Sequence, residues 1–393
     1  MRPEAKLILL CCSAYDDATC ASEAANISSH SLDWSWLERF ALSQGVMPSV
    51  ARRIAALGLP EFGASKVRQL KIYLEANQLR NRRLASELLK ILGSFAQNDI
   101  EALVFKGPIL AALAYGDLSM RAFTDLDILV RRADIDRAAL LLVSDGYGLA
   151  NGEARIDPAI FSVFASGFEA RRGDDYVDLH WRIRQRRFPF FPDDDSLWTH
   201  SIWIDFEGSR VRTFAPSDMV MFLCTHASKH GWSSLSMICD LAQVIRRNPA
   251  LDLDAIIAEA ERIGSRRMVV LGLYLASQLL QANVPESVLR HARADRDLKA
   301  LACRVIDQMF ADADDKMAAS NQLAIALASM ERRRDRIRYW AYRAITPTMG
   351  DWGFLPLPRM LYPAYVFIRP LRFVAMYLRS PRAVWRAGAL DKI

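Results

Sequence analysis

The chain has 393 residues, of which 52% are hydrophobic and 24% charged, and a mean hydropathy of +0.04. It is too apolar for a mostly disordered chain, and its length fits two or three domains of about 150 residues each. Six cysteines with no CxxC pair exclude a disulfide-rich scaffold and a cysteine-built zinc site, so a cytoplasmic location is expected. The net charge of +6 is uneven: residues 331–386 carry twelve Arg against Glu331, Asp335 and Asp351, which leaves the rest of the chain slightly acidic.

At the N-terminus, the apolar run Leu7–Cys12 is shorter than the roughly 7–15 residues of a signal peptide core and predicts a buried first helix. No uncharged apolar stretch approaches the roughly 18 residues of a membrane span. Residues 34–98 read as successive helices, with Trp34, Leu37 and Phe40-Ala41 at helical spacing and one long amphipathic pattern from Ser65 to Ala96 that includes Leu79. The pattern changes near residue 100. Ala102–Phe105 reads as a strand ending in Lys106-Gly107, Pro108 opens a helix to about Tyr115, and Asp125–Val130 reads as a second strand. A helix follows from Asp134 to Ser144, capped by Gly146, and residues 168–183 read as a hairpin turning at Gly173-Asp174. Residues 100–214 thus form a small α/β unit of four or five strands. Beyond Pro216 the chain is helical again, with Ser217 as a cap and helices over roughly 235–247, 252–264, 267–282, 295–311 and 320–343; Asp252 and Asp295 stand at N-cap positions. The expected division is 1–98 helical, 99–215 α/β, 216–345 helical, and 346–393 a basic, aromatic-rich tail.

Asp125-Leu126-Asp127 is the sharpest chemical feature. The same D-x-D spacing recurs at Asp134/Asp136, Asp193/Asp195, Asp252/Asp254, Asp295/Asp297 and Asp312/Asp314, so spacing alone says little. Context distinguishes the first pair. Residues two apart on a strand share a face, and Ile128-Leu129-Val130 marks that strand as buried. Two same-face carboxylates repel unless a cation lies between them, and hard oxygen donors suit Mg²⁺. The alternative is a solvent-facing Asp125 and a turn-capping Asp127. Asp178, between Val177 and Leu179, is a candidate third carboxylate or base, with His180 on its face; the alternative is an edge-strand Asp paired with Arg182 or Arg184. Lys106-Gly107 precedes a helix and suits a phosphate, and Arg121 is placed to reach the same group. His226 and His230 share a helix face, but a zinc-protease helix would need Glu at 227, where Ala stands. Lys229 is a candidate for a triphosphate across a cleft, and Asp240 either faces that cleft or pairs with Arg246. No G-x-S-x-G, G-x-G-x-x-G or P-loop occurs.

Taken together, Arg80–Leu88, Phe105–Leu110, Arg121–Val130, Val177–Trp181, His226–Trp232 and Asp240-Leu241 resemble the uncharacterised nucleotidyltransferase family, a divergent branch of the DNA-polymerase-β-like superfamily. The resemblance covers roughly residues 5–285 and extends to Arg369–Arg372. It implies an α+β fold: a minimal nucleotidyltransferase mixed sheet with helices, flanked by N-terminal and C-terminal helical regions. It implies that Asp125, Asp127 and Asp178 are catalytic and hold Mg²⁺ or Mn²⁺. Lys106, Gly107, Arg121 and Lys229 would bind the phosphates of ATP or another NTP, and His180, His226 and Asp240 are additional candidates. The sequence departs from the superfamily where Lys106-Gly107 stands in place of Gly-Ser, and in the long interval from Gly107 to Asp125. These departures leave room for a kinase-like phosphotransferase on the same core. The family's genomic company implies a peptide or small-molecule acceptor, as in natural-product biosynthesis.

A non-catalytic nucleotide- or peptide-binding protein is the other reading, against which the three acids count. The tail interleaves Arg with Trp340, Tyr342, Trp352, Phe354, Tyr362, Tyr365, Phe367, Phe373, Tyr377 and Trp385. Such a segment packs its aromatics on the helical body, or meets a membrane surface or an acidic partner. No residue demands nucleic acid.

Overall fold

A computed structural model describes residues 1–28, 32–149, 167–184, 188–311, 318–346, 351 and 354–379. Helices α1 (Pro3–Cys12), α2 (Asp17–Ser28), α3 (Trp34–Ser43) and α4 (Met47–Leu57) lead to the 34-residue α5 (Ala64–Gln97). At 1.5 Å per residue α5 is about 51 Å long, enough to belong to two cores. Leu70 near its start packs with the helical body, while Leu84, Leu88, Ile91 and Phe95 pack under the sheet.

The sheet follows. Strands β1 (Ala102–Val104), β2 (Asp125–Val130), β3 (Gly148–Leu149), β4 (Gly167–Arg172) and β5 (Asp175–His180) lie in the order β1-β2-β5-β4-β3. β2 and β5 are parallel; the other pairs are antiparallel. The short helix α6 (Gly107–Leu110) follows β1, and α7 (Ile135–Ser144) follows β2. Alternation along the strands sorts the two faces. Leu126, Ile128 and Val130 of β2 and Val177 and Leu179 of β5 are buried with Ile135, Ala138 and Leu142 of α7 on the α5 side. Asp125, Asp127, Asp178 and His180 therefore take the other face, because a strand has a period of two.

That other face meets a helical body. After α8 (Asp194–His200) and the hairpin β6 (Ile202–Phe206)–β7 (Ser209–Thr213) come α9 (Pro216–Lys229), α10 (Leu235–Arg247), α11 (Leu253–Ile263), α12 (Arg266–Leu280), α13 (Glu286–Ala294), α14 (Arg296–Met309), α15 (Ala318–Ala328), α16 (Arg333–Ile345) and α17 (Tyr365–Arg379). Leu7 and Ile8 of α1, Leu37 of α3, Val50 and Ile54 of α4, and Val220, Leu241, Leu273 and Val305 of the later helices share one apolar cluster.

Several local expectations are corrected. Leu79 is 74% exposed and lies off the apolar stripe of α5. The helix of Pro216 is capped at Ala215 without a side-chain bond, so Ser217 is not its cap. The hairpin β6–β7 forms a second, two-stranded sheet apart from the five-stranded one. The expected helix 320–343 is broken into α15 and α16; at the break Ser329 Oγ donates to the Ile325 carbonyl (2.8 Å), and the Arg336 guanidinium donates to that of Met330 (2.9 and 3.1 Å). Helices α2, α13 and α17 were not expected; α17 runs through Pro370, normally a helix breaker. Arg369 and Arg372 of α17 both bond the fully buried Asp351 (2.7 and 2.5 Å), which ties that helix down. Asp312, Asp314, Trp352 and Trp385 lie outside the described residues, as do the side chains of Tyr362, Phe373 and Tyr377.

Candidate active site

β2 and β5 run side by side in the same direction, and their register sets Asp127 directly opposite Asp178. His180 lies two residues on from Asp178 and so shares its face. Ligand atoms of Asp127, Asp178 and His180 all lie within 4.8 Å of one another. Asp178 is on an interior strand between β2 and β4, which corrects the edge-strand alternative, and it pairs with neither Arg182 nor Arg184 in this structure: Arg182 lies 3.9 Å from Asp194.

Asp127 is 3% exposed. Its Oδ1 lies 3.3 Å from His180 Nε2 and 3.7 Å from Lys106 Nζ, whereas Oδ2 is buried with no hydrogen-bond partner. Burial works against its charge, but Lys106 and His180 outweigh it and hold the carboxyl below its usual value. Asp178 behaves oppositely. Burial and then the negative charge of Asp127 push it up to about 6. Asp125, at the start of β2, is raised first by burial and then by Asp127, against the pull of Lys106 and Arg121. Its carboxyl lies outside the tight Asp127–Asp178–His180 group. One anion and two raised acids on a single face form a site electrostatically short of positive charge.

The turn before this face depends on glycine. Gly107 has φ +54°, and a Cβ there would stand 3.0 Å from the Asp125 carbonyl oxygen. Only glycine lets the β1–α6 turn lie against the start of β2. Lys106 precedes it, with its Nζ 5.6 Å from the Phe222 ring centroid.

The helical body supplies the opposite wall of the cleft. Its α9 contributes Phe222, Thr225, His226 and Lys229, and the segment after β5 contributes Arg182, Ile183, Phe188, Phe190 and Phe191. Phe105 stacks on Phe214 and meets Phe222 edge-on, both at 5.2 Å, giving the cleft an apolar side beside its charged side. His226 is held well below its ordinary value by burial first and Lys106 next, and it stacks on Phe222 at 5.3 Å.

Arg121 and Asp240 are brought to one another. Arg121 Nε donates to both Asp240 oxygens (3.0 and 3.1 Å), and the Tyr115 hydroxyl donates to Oδ1 (2.9 Å). The alternative of an Asp240–Arg246 pair gives way to this arrangement. The Arg121 segment is pinned in turn by α5: Asn81 Nδ2 donates to the carbonyls of Leu118 (2.6 Å) and Arg121 (2.8 Å), and Asn77 Nδ2 to that of Ser119 (2.7 Å).

Sequence reasoning missed three features of the site. Glu169 on β4 pairs in register with Asp178 and adds to the rise in its pKa. Gly167 lies opposite His180, where a Cβ would stand 2.7 Å from the Leu179 oxygen and 2.8 Å from His180 Nδ1. Arg182 and the phenylalanines of 188–191 form a cleft wall. Only the strand pairing reveals the first two, and nothing in the local sequence signals it.

No curated protein matches the chain. Among solved structures, it is similar to the solution structure of the antibiotic-resistance factor ANT(2″)-Ia (12% identity, 47% of this chain and 94% of that chain, TM-score 0.36). It is also similar to the crystal structure of ANT(2″)-Ia in complex with adenylyl-2″-tobramycin (13% identity, 46% and 97%, TM-score 0.35). Residues 30–281 match the sequence profile described as uncharacterised nucleotidyltransferase, and the chain belongs to that nucleotidyltransferase family.

Proposed function

We propose that the cleft transfers a nucleoside monophosphate from an NTP, with ATP as donor, to a hydroxyl of a small-molecule or peptide acceptor. The observation that carries this reading is the side-by-side register of Asp127 and Asp178 on paired strands, with a buried Asp127 oxygen that has no hydrogen-bond partner.

The residues fit a divalent ion. An all-oxygen pair of carboxylates, completed by Asp125 nearby, is a donor set for Mg²⁺ or Mn²⁺. Asp178, raised by burial and by the negative charge of Asp127, would be held ionised beside it by such a cation. When bound, the ion would neutralise charge on the donor phosphates and on the transferring group. Lys106 and Lys229 face that charge from two sides of the cleft. Arg121, engaged by Asp240, is a positioning residue whose field favours ionised Asp125. In this reading Asp178 takes the proton from the acceptor hydroxyl, and His180 orients Asp127. The phenylalanine wall excludes water and receives the apolar part of the base or acceptor.

The test uses ATP labelled at the α-phosphate or at the γ-phosphate, with Mg²⁺ and a pool of hydroxyl-bearing acceptors. Label from the α-position in the product, with pyrophosphate released, is the expected result. Label from the γ-position would make the protein a phosphotransferase, and no transfer with nucleotide still bound would make it a binding protein.

A further inference from the structure

Helices α16 and α17 pack against each other and carry an unusual exterior. Asp351 is fully buried between the two arginines of α17, Glu331 pairs with Arg266 (3.7 Å), and Asp335 is half-buried beside Arg334 (3.9 Å). Among the described residues from 331 onward, no carboxylate is therefore fully exposed. The exposed charges of α16 are Arg333, Arg334 and Arg338. Large apolar side chains are exposed on the same two helices and on the segment leading into α17: Ile337 is 69% exposed, Trp340 40%, Met360 91%, Leu361 51%, Phe367 75% and Leu371 72%. Ile337 and Trp340 share a face of α16, and Phe367 and Leu371, four residues apart, share a face of α17.

We propose that this α16–α17 unit docks the protein on an anionic lipid surface, with these apolar side chains entering the headgroup boundary and the arginines meeting lipid phosphates and carboxylates. Charge complementarity selects this occupant. A second copy meeting it through the same face would oppose arginine to arginine with no exposed acid there to balance them. A nucleic acid would engage the arginines but has no use for exposed Met360, Leu361 and Leu371. A bilayer surface uses both features at once, since buried apolar area and attraction to anionic lipid add. The contact is peripheral: among the described residues no helix is long and apolar enough to cross a membrane. It stands independently of the chemistry assigned to the cleft.

The full chain is sedimented with sucrose-loaded vesicles of phosphatidylcholine, alone or mixed with phosphatidylserine, at low and high salt. Expected is binding to the mixed vesicles that weakens with salt, and none to phosphatidylcholine alone. The variants Phe367→Ser/Leu371→Ser and Arg333→Gln/Arg334→Gln/Arg338→Gln should each bind about tenfold more weakly. Because all five side chains are exposed, their thermal midpoints should match the parent. The proposal is overturned if the mixed vesicles are not bound, or if the serine variant binds them as well as the parent, which would mark a simple polyanion effect that RNA or an acidic peptide would share. Dimers in solution that the serine variant abolishes would assign the face to a second copy instead.

Discussion

Asp178 illustrates how a single carboxyl can work against the stability of the fold and still be kept. Its pKa is raised from 3.8 to about 6 by burial and by Asp127. A group raised in the folded state favours folding fully below its unfolded value, and that contribution is lost as pH rises through the folded value. The metal-free protein should therefore lose up to about 3 kcal/mol of this contribution between about pH 4 and pH 7. Asp178→Asn should remove that pH dependence from thermal melts while lowering turnover at least about 100-fold. An unchanged rate would remove Asp178 from the chemistry. At Gly107 the constraint is steric. Gly107→Ala has to place a side chain at φ +54°, 3.0 Å from the Asp125 oxygen. It should cost about 1–2 kcal/mol in denaturant titrations and weaken turnover by displacing β2. Gly107 stood out in the sequence because it follows Lys106 at the end of a strand; its closeness to Asp125 did not, since that contact spans 18 residues.

Among the elements, α5 serves as the splint of the site. Asn77 and Asn81 hold the segment that carries Arg121 by bonding its buried carbonyls. Asn81→Ala should cost about 2 kcal/mol, offset in part because Asn81 Oδ1 has no partner in the fold. Its distinguishing sign would be faster amide exchange confined to residues 116–124; uniform loss of protection across the chain would contradict a local role. The long α5, the strands β1, β2 and β5, and the caps Asp252 and Asp295 were legible because periodicity and capping are written in neighbouring residues. The break between α15 and α16 was not, because it is stabilised by Arg336 reaching back to Met330. Likewise, the Arg121–Asp240 pair joins positions 119 residues apart, and only folding brings them together.

Across the whole molecule, the N-terminal helices and the helices that follow residue 216 share a core. Leu7 and Ile8 of α1 are fully buried in the same cluster as Val220, Leu241 and Leu273. Deleting residues 1–12 should therefore not trim a separable unit. It should strip apolar cover from α9 to α12 and abolish a cooperative thermal transition, as measured by calorimetry; an unchanged transition would show the N-terminal helices to be an independent module. This helical body also carries the Lys229 and phenylalanine wall of the cleft opposite the acids of the sheet, so the site depends on both halves being assembled. The most direct measurement is a calorimetric titration of ATP with Mg²⁺ into the parent protein and into Asp127→Asn/Asp178→Asn. Saturable binding that requires Mg²⁺ and disappears in the double variant is the predicted result. Equal nucleotide binding by both proteins, or none by either, would contradict the assignment of the Asp127–Asp178 pair as the metal and nucleotide centre.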